Sequence, residues 1–307
     1  MKCSKCNKSA SYFKKISGVA YCKSCFIKYI EDTVRWTINK KKLFDWDDHI
    51  LLAVSGGKDS VVMLKIVSKI EREFPNVKLT AVTIDEGVEN YREEGIEIAR
   101  EISKECKVDH LTFSFKEFYG YTLTEIIEKA QKIRAPYHAC TYCGVLRRKI
   151  LNIKGKELGT TKIATAHNLD DETQTILMNI LRGDINKLIR SFKMETLKQE
   201  GFIPRVKPMK YVPEREIALY AYYTEVKFHS RECPFSRSSL RNEIRSFLND
   251  YETHRGEAKY AIVSSFEELI SKIEIENLKF KICKHCGEPT TRDICRACEL
   301  LEELKIT

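Results

Sequence analysis

The sequence predicts an α/β protein with a doubly wound, mostly parallel sheet, flanked at each end of the chain by a small zinc ribbon. Short apolar runs alternate with segments whose apolar residues recur at helical spacing, as in sheets covered by helices on both faces. A glycine-rich turn follows the first of these runs. Each terminal segment carries two Cys-x-x-Cys motifs, a spacing typical of structural zinc sites.

Four apolar runs are predicted to be strands, at residues 49–54, 77–84, 109–115 and 162–166. Apolar residues at helical spacing follow the first run and the fourth run. After residue 201, Pro204, Pro208 and Pro213 predict a loop, and helical segments follow to about residue 275. At 307 residues, the chain is long enough for one large domain or two smaller ones.

The composition is that of an ordinary globular protein, because 43% of the residues are hydrophobic and 32% are charged. The 53 basic and 44 acidic residues give a net charge of +9, which fits either a solvated basic surface or a polyanionic partner such as nucleic acid. No apolar run approaches the roughly 20 residues of a membrane span, and the N-terminus lacks the apolar core of a signal peptide. We therefore expect a cytoplasmic protein without a membrane partner, whose twelve cysteines bind metal rather than form disulfides.

The terminal cysteines predict two zinc ions, each held by four thiolates. Two Cys-x-x-Cys pairs bring four sulfurs to one ion, which is the closed tetrahedral arrangement of structural zinc. Such ribbons are too small to hold a core of their own, so the metal supplies their folding energy. The predicted ligands are Cys3, Cys6, Cys22 and Cys25 in the first ribbon, and Cys283, Cys286, Cys295 and Cys298 in the second.

The glycine-rich turn SGGKDS predicts an anion-binding loop between a strand and a helix. Gly56 and Gly57 let the backbone close on an anion, towards which the helix N-terminus points its free amide groups. Ser55 and Ser60 add hydroxyl donors, and Lys58 adds a positive charge. The spacing differs from that of the nucleotide-hydrolase loop G-x-x-x-x-G-K-[ST]. A plain glycine turn, capped by the aspartate at position 59, would need neither the lysine nor both serines.

Three motifs together resemble a known family. SGGKDS resembles the loop of the PP-loop, or N-type, ATP pyrophosphatases, which have the adenine nucleotide alpha hydrolase-like fold. The stretch 167-HNLDDETQT-175 is similar to the HN-x-DD-x-x-x-T element of the tRNA-modifying branch. The central CTYCG and the later 233-CPF-235, with the terminal ribbons, resemble the tRNA 2-thiouridine synthetases of the TtuA/NcsA type. The resemblance covers nearly the whole chain.

The resemblance implies a domain organisation. The N-terminal zinc ribbon would occupy residues 1–27, and the PP-loop catalytic domain with its linking helix would occupy 28–215. A helical region at 216–275 would complete the active site, and the second zinc ribbon would occupy 276–307.

The resemblance also implies ATP-dependent 2-thiolation of uridine in tRNA. Adenylation of the C2 oxygen releases pyrophosphate, and sulfur then displaces AMP. Asp59 and Asp171 would hold Mg²⁺ or position the reacting groups, although for Asp59, and for Asp170 with Asp171, a helix-capping role is the alternative. His167 is either a plain residue at a strand end or a catalytic group. The phosphates of ATP would contact Ser55, Gly56, Gly57, Lys58 and Ser60, and adenosine would rest near Ile84 and Asp85.

The central Cys-x-x-Cys pair has no second pair beside it in the sequence. The resemblance implies that Cys140 and Cys143 bind a [4Fe-4S] cluster together with Cys233, which leaves one iron open for sulfur. The alternatives are a redox or persulfide pair that needs no iron, and inert core cysteines. Cys106 lies in a helical, apolar setting and is interpreted as structural.

One position departs from the family pattern. Many relatives have a lysine four residues after the second central cysteine, where this chain has Arg147. Arginine pairs with phosphate or with a developing oxyanion, but it does not act as a base at neutral pH. We therefore expect a charge-stabilising role for Arg147, unless Lys149 takes over the role of that lysine.

The partners implied are tRNA and a sulfur donor, either sulfide or a ubiquitin-like thiocarboxylate protein. The target uridine must be exposed from the folded RNA before its C2 is attacked, and position 34 is favoured over position 54. A homodimer is expected, as in relatives. Two other classes of function stay open: a PP-loop synthetase that transfers an amide or ammonia, and a zinc-ribbon RNA-binding protein without catalytic activity.

Overall fold

The computed structural model describes residues 1–15, 17–193, 201–235, 240–273 and 280–306. The chain begins with an antiparallel pair of short strands, β1 (Tyr12–Lys14) and β2 (Val19–Tyr21), followed by the long helix α1 (Lys23–Lys41). Phe26 and Ile30 of α1 are fully buried in the main core. The first helix therefore starts inside the N-terminal ribbon and anchors that ribbon to the rest of the protein.

A five-stranded parallel sheet forms the centre of the protein, in the order β5-β4-β3-β6-β7. The first strand of this sheet along the chain, β3, lies in the middle, and the order runs outwards to both sides of it. Ligands of such sheets bind at the carboxyl ends of the strands, where the order reverses, here between β3 and β6. The strands are β3 (His49–Ala53), β4 (Lys78–Asp85), β5 (Asp109–Ser114), β6 (Lys162–Ala164) and β7 (Arg205–Val206).

Helices cover both faces of this sheet, which confirms the predicted doubly wound arrangement. The first six after the loop of β3 are α2 (Lys58–Glu71), α3 (Arg92–Glu105), α4 (Phe115–Tyr119), α5 (Leu123–Lys132), α6 (Ala139–Glu157) and α7 (Leu169–Leu181). The next four are α8 (Ile185–Lys193), α9 (Glu214–Tyr223), α10 (Leu240–Arg255) and α11 (Ala258–Lys272). Among the described residues, none of the helices is long and apolar enough to cross a membrane.

The sequence of β3 explains why the sheet separates two cores. Side chains alternate between the faces of a strand. Ile50 and Leu52 pack in one core with α1, α2, α3 and α9, whereas Leu51 packs in the other with α4, α5 and α6. All three side chains are fully buried, which is why the strand reads as a continuous apolar run.

The C-terminal ribbon consists of β8 (Lys281–Ile282), β9 (Pro289–Thr290) and the helix α12 (Arg296–Glu303). Leu300 of α12 and Leu304, which follows that helix, are buried in the same core as Tyr142 and Leu146 of α6. The ribbon is thus packed directly on helix α6.

The four predicted strands are confirmed, and β7 is an addition. Its two residues lie in the segment that the prolines predicted to be a loop. Ile163 and Ala164 of β6 pair with it, so tertiary contact rather than a local apolar pattern creates this strand. The predicted fourth strand is shorter than expected and ends at Ala164, because the chain then turns towards the N-cap of α7 at Asn168.

Candidate functional site

The glycine-rich loop lies between β3 and the N-terminus of α2, at the carboxyl edge of the sheet. The side chain of Ser60 closes it: its Oγ donates to the carbonyl of Gly57 at 2.8 Å and lies 3.1 Å from the backbone nitrogen of Ser55, which donates to it. The Oγ atoms of Ser55 and Ser60 are 3.1 Å apart. These bonds fix the loop with the amide groups at the start of α2 directed out of the helix, as anion binding requires.

Gly56 and Gly95 let the loop approach α3 closely. Gly56 has φ +81°, and a Cβ atom built there would lie 2.0 Å from the carbonyl oxygen of Gly95. On its other side, the carbonyl of Gly56 accepts a hydrogen bond of 2.8 Å from the backbone of His229. Both neighbours are backbone, so the loop is held by contacts that leave no room for a side chain at position 56.

Lys58 and Asp59 stand at the first turn of α2. Lys58 Nζ lies 3.1 Å from Asp59 Oδ1 and 3.5 Å from Glu214 Oε1 at the start of α9. Burial raises the pKa of Asp59, while Lys58 opposes the shift. Nearby Asp171 and Glu214 raise this pKa further. Two carboxylates therefore contact Lys58 beside the loop, and Asp171 lies within electrostatic range of Asp59.

The first turn of α7 carries the two aspartates of the second motif, which have different partners. Asp171 forms a reciprocal capping box with Asn168, and its Oδ1 lies 3.3 Å from Arg241. Burial also raises the pKa of Asp171. Asp170 is buried against Lys259 and accepts a 2.7 Å bond from the backbone of Glu214. Asp170 thus has a structural role, whereas Asp171 both caps its helix and faces the loop.

Three further residues named by the sequence lie at the same edge. The carbonyl of Ile84 accepts from Arg92, and Asp85 accepts from the backbone of Gly87 at 2.8 Å, which closes a turn after β4. His167 Nδ1 lies 2.8 Å from Thr165 Oγ1. Desolvation by the surrounding protein and the charge of Lys207 lower the pKa of His167 to about 4, so this ring is neutral at pH 7.

Seen from the glycine-rich loop, the central cysteines lie beyond the turn that follows β4. Cys140 and Cys143 occupy the first turns of α6, and Cys140 Sγ is 3.9 Å from the carbonyl of Phe235. The pKa of Cys143 is raised to about 11, first by burial and further by the negative charges of Glu86, Cys233 and Cys140. The structure therefore brings Cys233 into the electrostatic neighbourhood of the pair, although 90 residues separate it from Cys143 in the chain.

This group of three cysteines is more open than a zinc site. In the described part of the chain, the groups whose ligand atoms all lie within 4.8 Å of one another are the two terminal sets of four cysteines. Cys6 and Cys22 have sulfurs 3.5 Å apart, and Cys286 and Cys295 have sulfurs 3.7 Å apart. Sulfurs about 2.3 Å from a shared zinc ion are separated by such distances. The terminal sets therefore have the spacing of a zinc site, whereas the three central cysteines do not form so compact a group.

Two buried or half-buried arginines meet one glutamate between the loop and the cysteines. Glu86 lies 2.9 Å from Arg92 and 3.3 Å from Arg147. Arg147 follows Cys143 by one helical turn, and the charge of Cys143, with that of Glu86, raises the pKa of Arg147. Arg147 is a permanent cation beside the sulfur site, consistent with charge stabilisation and not with general-base chemistry.

Lys149 points away from the cysteines of α6 and towards the C-terminal ribbon. Its Nζ donates to Cys298 Sγ at 3.3 Å. A lysine bonded to a zinc-ligand sulfur offsets the negative charge of a four-thiolate site. This contact makes Lys149 part of the surroundings of the ribbon rather than a substitute for the lysine of relatives.

A pair of arginines on α6 and at the start of β7 was not found by sequence reasoning. Arg148 is exposed on α6, and Arg205 of β7 stacks on Phe202, with its guanidinium carbon 5.1 Å from the ring centre. Within the described ranges, neither arginine has a carboxylate partner. Burial, followed by the charge of Arg148, lowers the pKa of Arg205 to about 9. The sequence gives no signal for Arg205, because it lies apart from other basic motifs in the proline-rich segment.

The chain is similar in sequence to known proteins over nearly its whole length. A family model described as a PP-loop domain matches residues 28–252. The cytoplasmic tRNA 2-thiolation protein 1 of Drosophila pseudoobscura pseudoobscura is 37% identical over 301 residues, or 98% of this chain and 87% of that protein. The tRNA 2-thiolation protein NcsA of Haloferax volcanii is 34% identical over 322 residues, with 99% of each chain covered.

A solved structure gives the same result over the whole chain. The U34-tRNA thiolase NcsA from Methanococcus maripaludis, solved with its [4Fe-4S] cluster, is 36% identical to this chain. The two structures superpose with a TM-score of 0.86, covering 99% of this chain and 96% of that one.

Proposed function

Because the chain belongs to the PP-loop family of tRNA 2-thiolation proteins, we propose that it is an ATP-dependent enzyme that 2-thiolates uridine in tRNA in the cytoplasm. The main support is the convergence of two chemically different sites at one edge of the sheet. An anion-binding loop lies on one side of Glu86, and three cysteines lie on the other. Adenylation and sulfur transfer need such neighbouring sites, because the activated base is exposed to water between the two steps.

The loop would bind the phosphates of ATP. The amide groups at the start of α2, the hydroxyls of Ser55 and Ser60, and Lys58 would neutralise the triphosphate. Asp59 and Asp171 would hold Mg²⁺, since both lie at the loop and carry the oxygen ligands that this ion prefers. Bound in this way, ATP would transfer AMP to the C2 oxygen of uridine and release pyrophosphate.

The cysteines would supply the sulfur. Held by Cys140, Cys143 and Cys233, a [4Fe-4S] cluster would leave one iron without a protein ligand, available to a sulfur donor. The sulfur nucleophile forms a bond to C2, and the C2–O bond to AMP breaks, so that AMP leaves with the electron pair. Arg147 would stabilise the negative charge that develops in this step. His167 is neutral at pH 7 and is not needed as an acid here.

The substrate would be tRNA modified at position 34, the position printed in the name of the similar thiolase from Methanococcus maripaludis. Arg148 and Arg205 lie beside the site without carboxylate partners in the described residues, so they are available for RNA phosphates. The sulfur donor, sulfide or a ubiquitin-like thiocarboxylate protein, and the homodimer remain part of this proposal.

The test is the metal content of anaerobically purified protein, with Cys233→Ala compared with Cys106→Ala. Cys106 is a buried cysteine at the end of α3, outside the site, and serves as the matched control. We expect about four irons and two zinc ions per chain in the wild type. Cys233→Ala should lose iron and keep zinc, and Cys106→Ala should keep both. Iron-free wild type after reconstitution would overturn the cluster and favour a persulfide on Cys140 or Cys143.

Activity is tested separately on tRNA transcripts. Nucleoside analysis by mass spectrometry should detect 2-thiouridine that depends on ATP and sulfide. The product should disappear when uridine 34 is replaced by cytidine and persist when position 54 is changed. Ammonia-dependent AMP formation without any thiolated nucleoside would instead support an amide-transfer synthetase.

A further inference from the structure

Glu86 is a buried carboxylate that the proposed reaction does not use directly. It follows the carboxyl end of β4 and is only 5% exposed. Its two oxygens have different partners: Oε2 lies 2.9 Å from Arg92 Nε, and Oε1 lies 3.3 Å from a terminal nitrogen of Arg147. A buried charge is tolerated only where opposite charges and hydrogen bonds satisfy it. Glu86 is therefore held between the two arginines.

The first arginine connects this carboxylate to the nucleotide loop. Arg92 is buried at the start of α3, and one terminal nitrogen donates to the carbonyl of Ser55 at 2.8 Å. Its Nε donates to the carbonyl of Ile84 at 3.0 Å. Through Arg92, the position of Glu86 depends on the first residue of SGGKDS and on the end of β4.

The second arginine connects it to the cysteines. Arg147 lies one turn after Cys143 on α6, within electrostatic range of that thiol, and 41% of its side chain is exposed. A guanidinium has five donors in a fixed plane, so one edge can pair with Glu86 while another faces sulfur. A lysine at this position would offer a single point charge and could not divide its donors in the same planar way.

We propose that Glu86 is a positioning residue that holds the Arg147 guanidinium beside the cysteines and links it through Arg92 to the nucleotide loop. The proposed thiolation supplies the step in which this position matters, but the contacts themselves do not depend on it. Glu86 acts through Arg147, so its removal should affect sulfur transfer and leave adenylation intact. The contacts Ser55–Arg92, Arg92–Glu86 and Glu86–Arg147 form a continuous connection between the loop and the helix that carries the cysteines.

The first test separates the two reaction steps. Glu86→Gln keeps the size of the side chain and removes its charge. Pyrophosphate release and nucleotide affinity should stay within about twofold of wild type, while formation of 2-thiouridine falls about tenfold, in the range for directly coupled side chains. Arg147→Ala should give the same pattern. In sulfur transfer, the double variant should be no slower than Arg147→Ala alone, because the proposal has Glu86 act on that step only through Arg147.

Matched controls distinguish positioning from stability. Glu73→Gln breaks another glutamate–arginine pair, with Arg35, far from the site and on the surface, and should leave both steps unchanged. A Glu86→Gln protein that loses nucleotide affinity or melting temperature in proportion to its sulfur transfer would overturn the proposal. Multiplied losses in the double variant would overturn it as well, since they would mean that Glu86 and Arg147 act independently.

A second test needs no catalytic activity. Cluster-free, zinc-loaded protein is treated with iodoacetamide, and alkylation of Cys143 is followed by mass spectrometry. Loss of the neighbouring guanidinium in Arg147→Ala should slow this alkylation, and Glu86→Gln should slow it too, because Arg147 is released from the sulfur. Faster alkylation in Glu86→Gln would show that Glu86 acts by its own charge and would refute positioning. If the wild type makes no 2-thiouridine but the two variants are alkylated more slowly than the wild type, the proposed function is refuted and the positioning role of Glu86 is not.

Discussion

Replacing Gly56 by alanine tests whether the nucleotide loop depends on its close contact with α3. A Cβ atom at this position would lie 2.0 Å from the carbonyl oxygen of Gly95, whereas real Cβ atoms do not approach closer than 3.0 Å, so one backbone segment must move by about 1 Å. Alanine also loses stability at the positive φ of +81°, by about 1–2 kcal/mol. Overpacking against a rigid backbone adds about 1–3 kcal/mol.

Gly120→Ala is the matched control. Gly120 ends α4 with φ +74°, and its Cβ would meet nothing within 4 Å. It should lose only the conformational term of about 1–2 kcal/mol, against about 2–5 kcal/mol for Gly56→Ala. A loop displaced by about 1 Å should also slow pyrophosphate release about 100-fold in Gly56→Ala alone. Urea unfolding in the presence of zinc and a pyrophosphate assay measure the two effects. Equal destabilisation of the two variants, with normal pyrophosphate release, would refute the close-packing argument.

Three further predictions concern charge and metal. Burial raises the pKa of Asp59. Acidification should therefore weaken the magnesium-dependent affinity for ATP at a pH above the usual titration range of aspartate. In calorimetry, Asp59→Asn should bind ATP more weakly than the wild type and show no such pH dependence. Burial raises the pKa of Glu71 from 4.5 to about 7. The folded state favours the protonated form of this carboxyl. The free energy of unfolding therefore falls as the pH rises from 4.5 to about 7, and it stays lower at higher pH. Glu71→Gln should therefore raise the melting temperature at pH 8 and leave it unchanged near pH 4, and an equal gain at both would contradict the assignment. Cys298→Ser should lose one zinc ion and also part of the iron, because its ribbon packs on α6 and receives a bond from Lys149. Cys25→Ser, in the other ribbon, should lose zinc and retain iron in elemental analysis; iron loss in both would show that the effect is not specific to α6.

The sequence predicted those elements of the fold that are marked by a run or a spacing of residues close together in the chain. Residues 50–53 are all apolar because both faces of β3 are buried there, and the loop after them has a distinctive composition. The Cys-x-x-Cys spacings predicted the two ribbons because the four cysteines of each set lie close together in the chain. The strand at Arg205–Val206 could not be predicted, because only its pairing with β6 makes it a strand.

The candidate site divides in the same way. The residues of SGGKDS lie together in the chain and could be recognised as one loop. Glu86, Arg92 and Arg147 come from the end of a strand and from two helices, and their pairing exists only after the sheet has placed these elements side by side. Asp170 shows the converse, because sequence reasoning assigned it the same capping alternative as Asp171, and only the structure shows that Asp170 is buried against Lys259.

The contact between the C-terminal ribbon and α6 has a consequence for synthesis of the chain. Helix α6 is translated well before the ribbon that completes its core, because α12 and Cys298 lie more than a hundred residues later. When Cys140 and Cys143 have emerged from the ribosome, the nascent chain still lacks the ribbon that packs on their helix and the thiolate that Lys149 contacts. Any cluster at these cysteines is therefore expected to be retained only after the ribbon has emerged and packed on α6. A chain truncated before residue 283 should not retain iron after anaerobic purification, whereas the full chain should retain it.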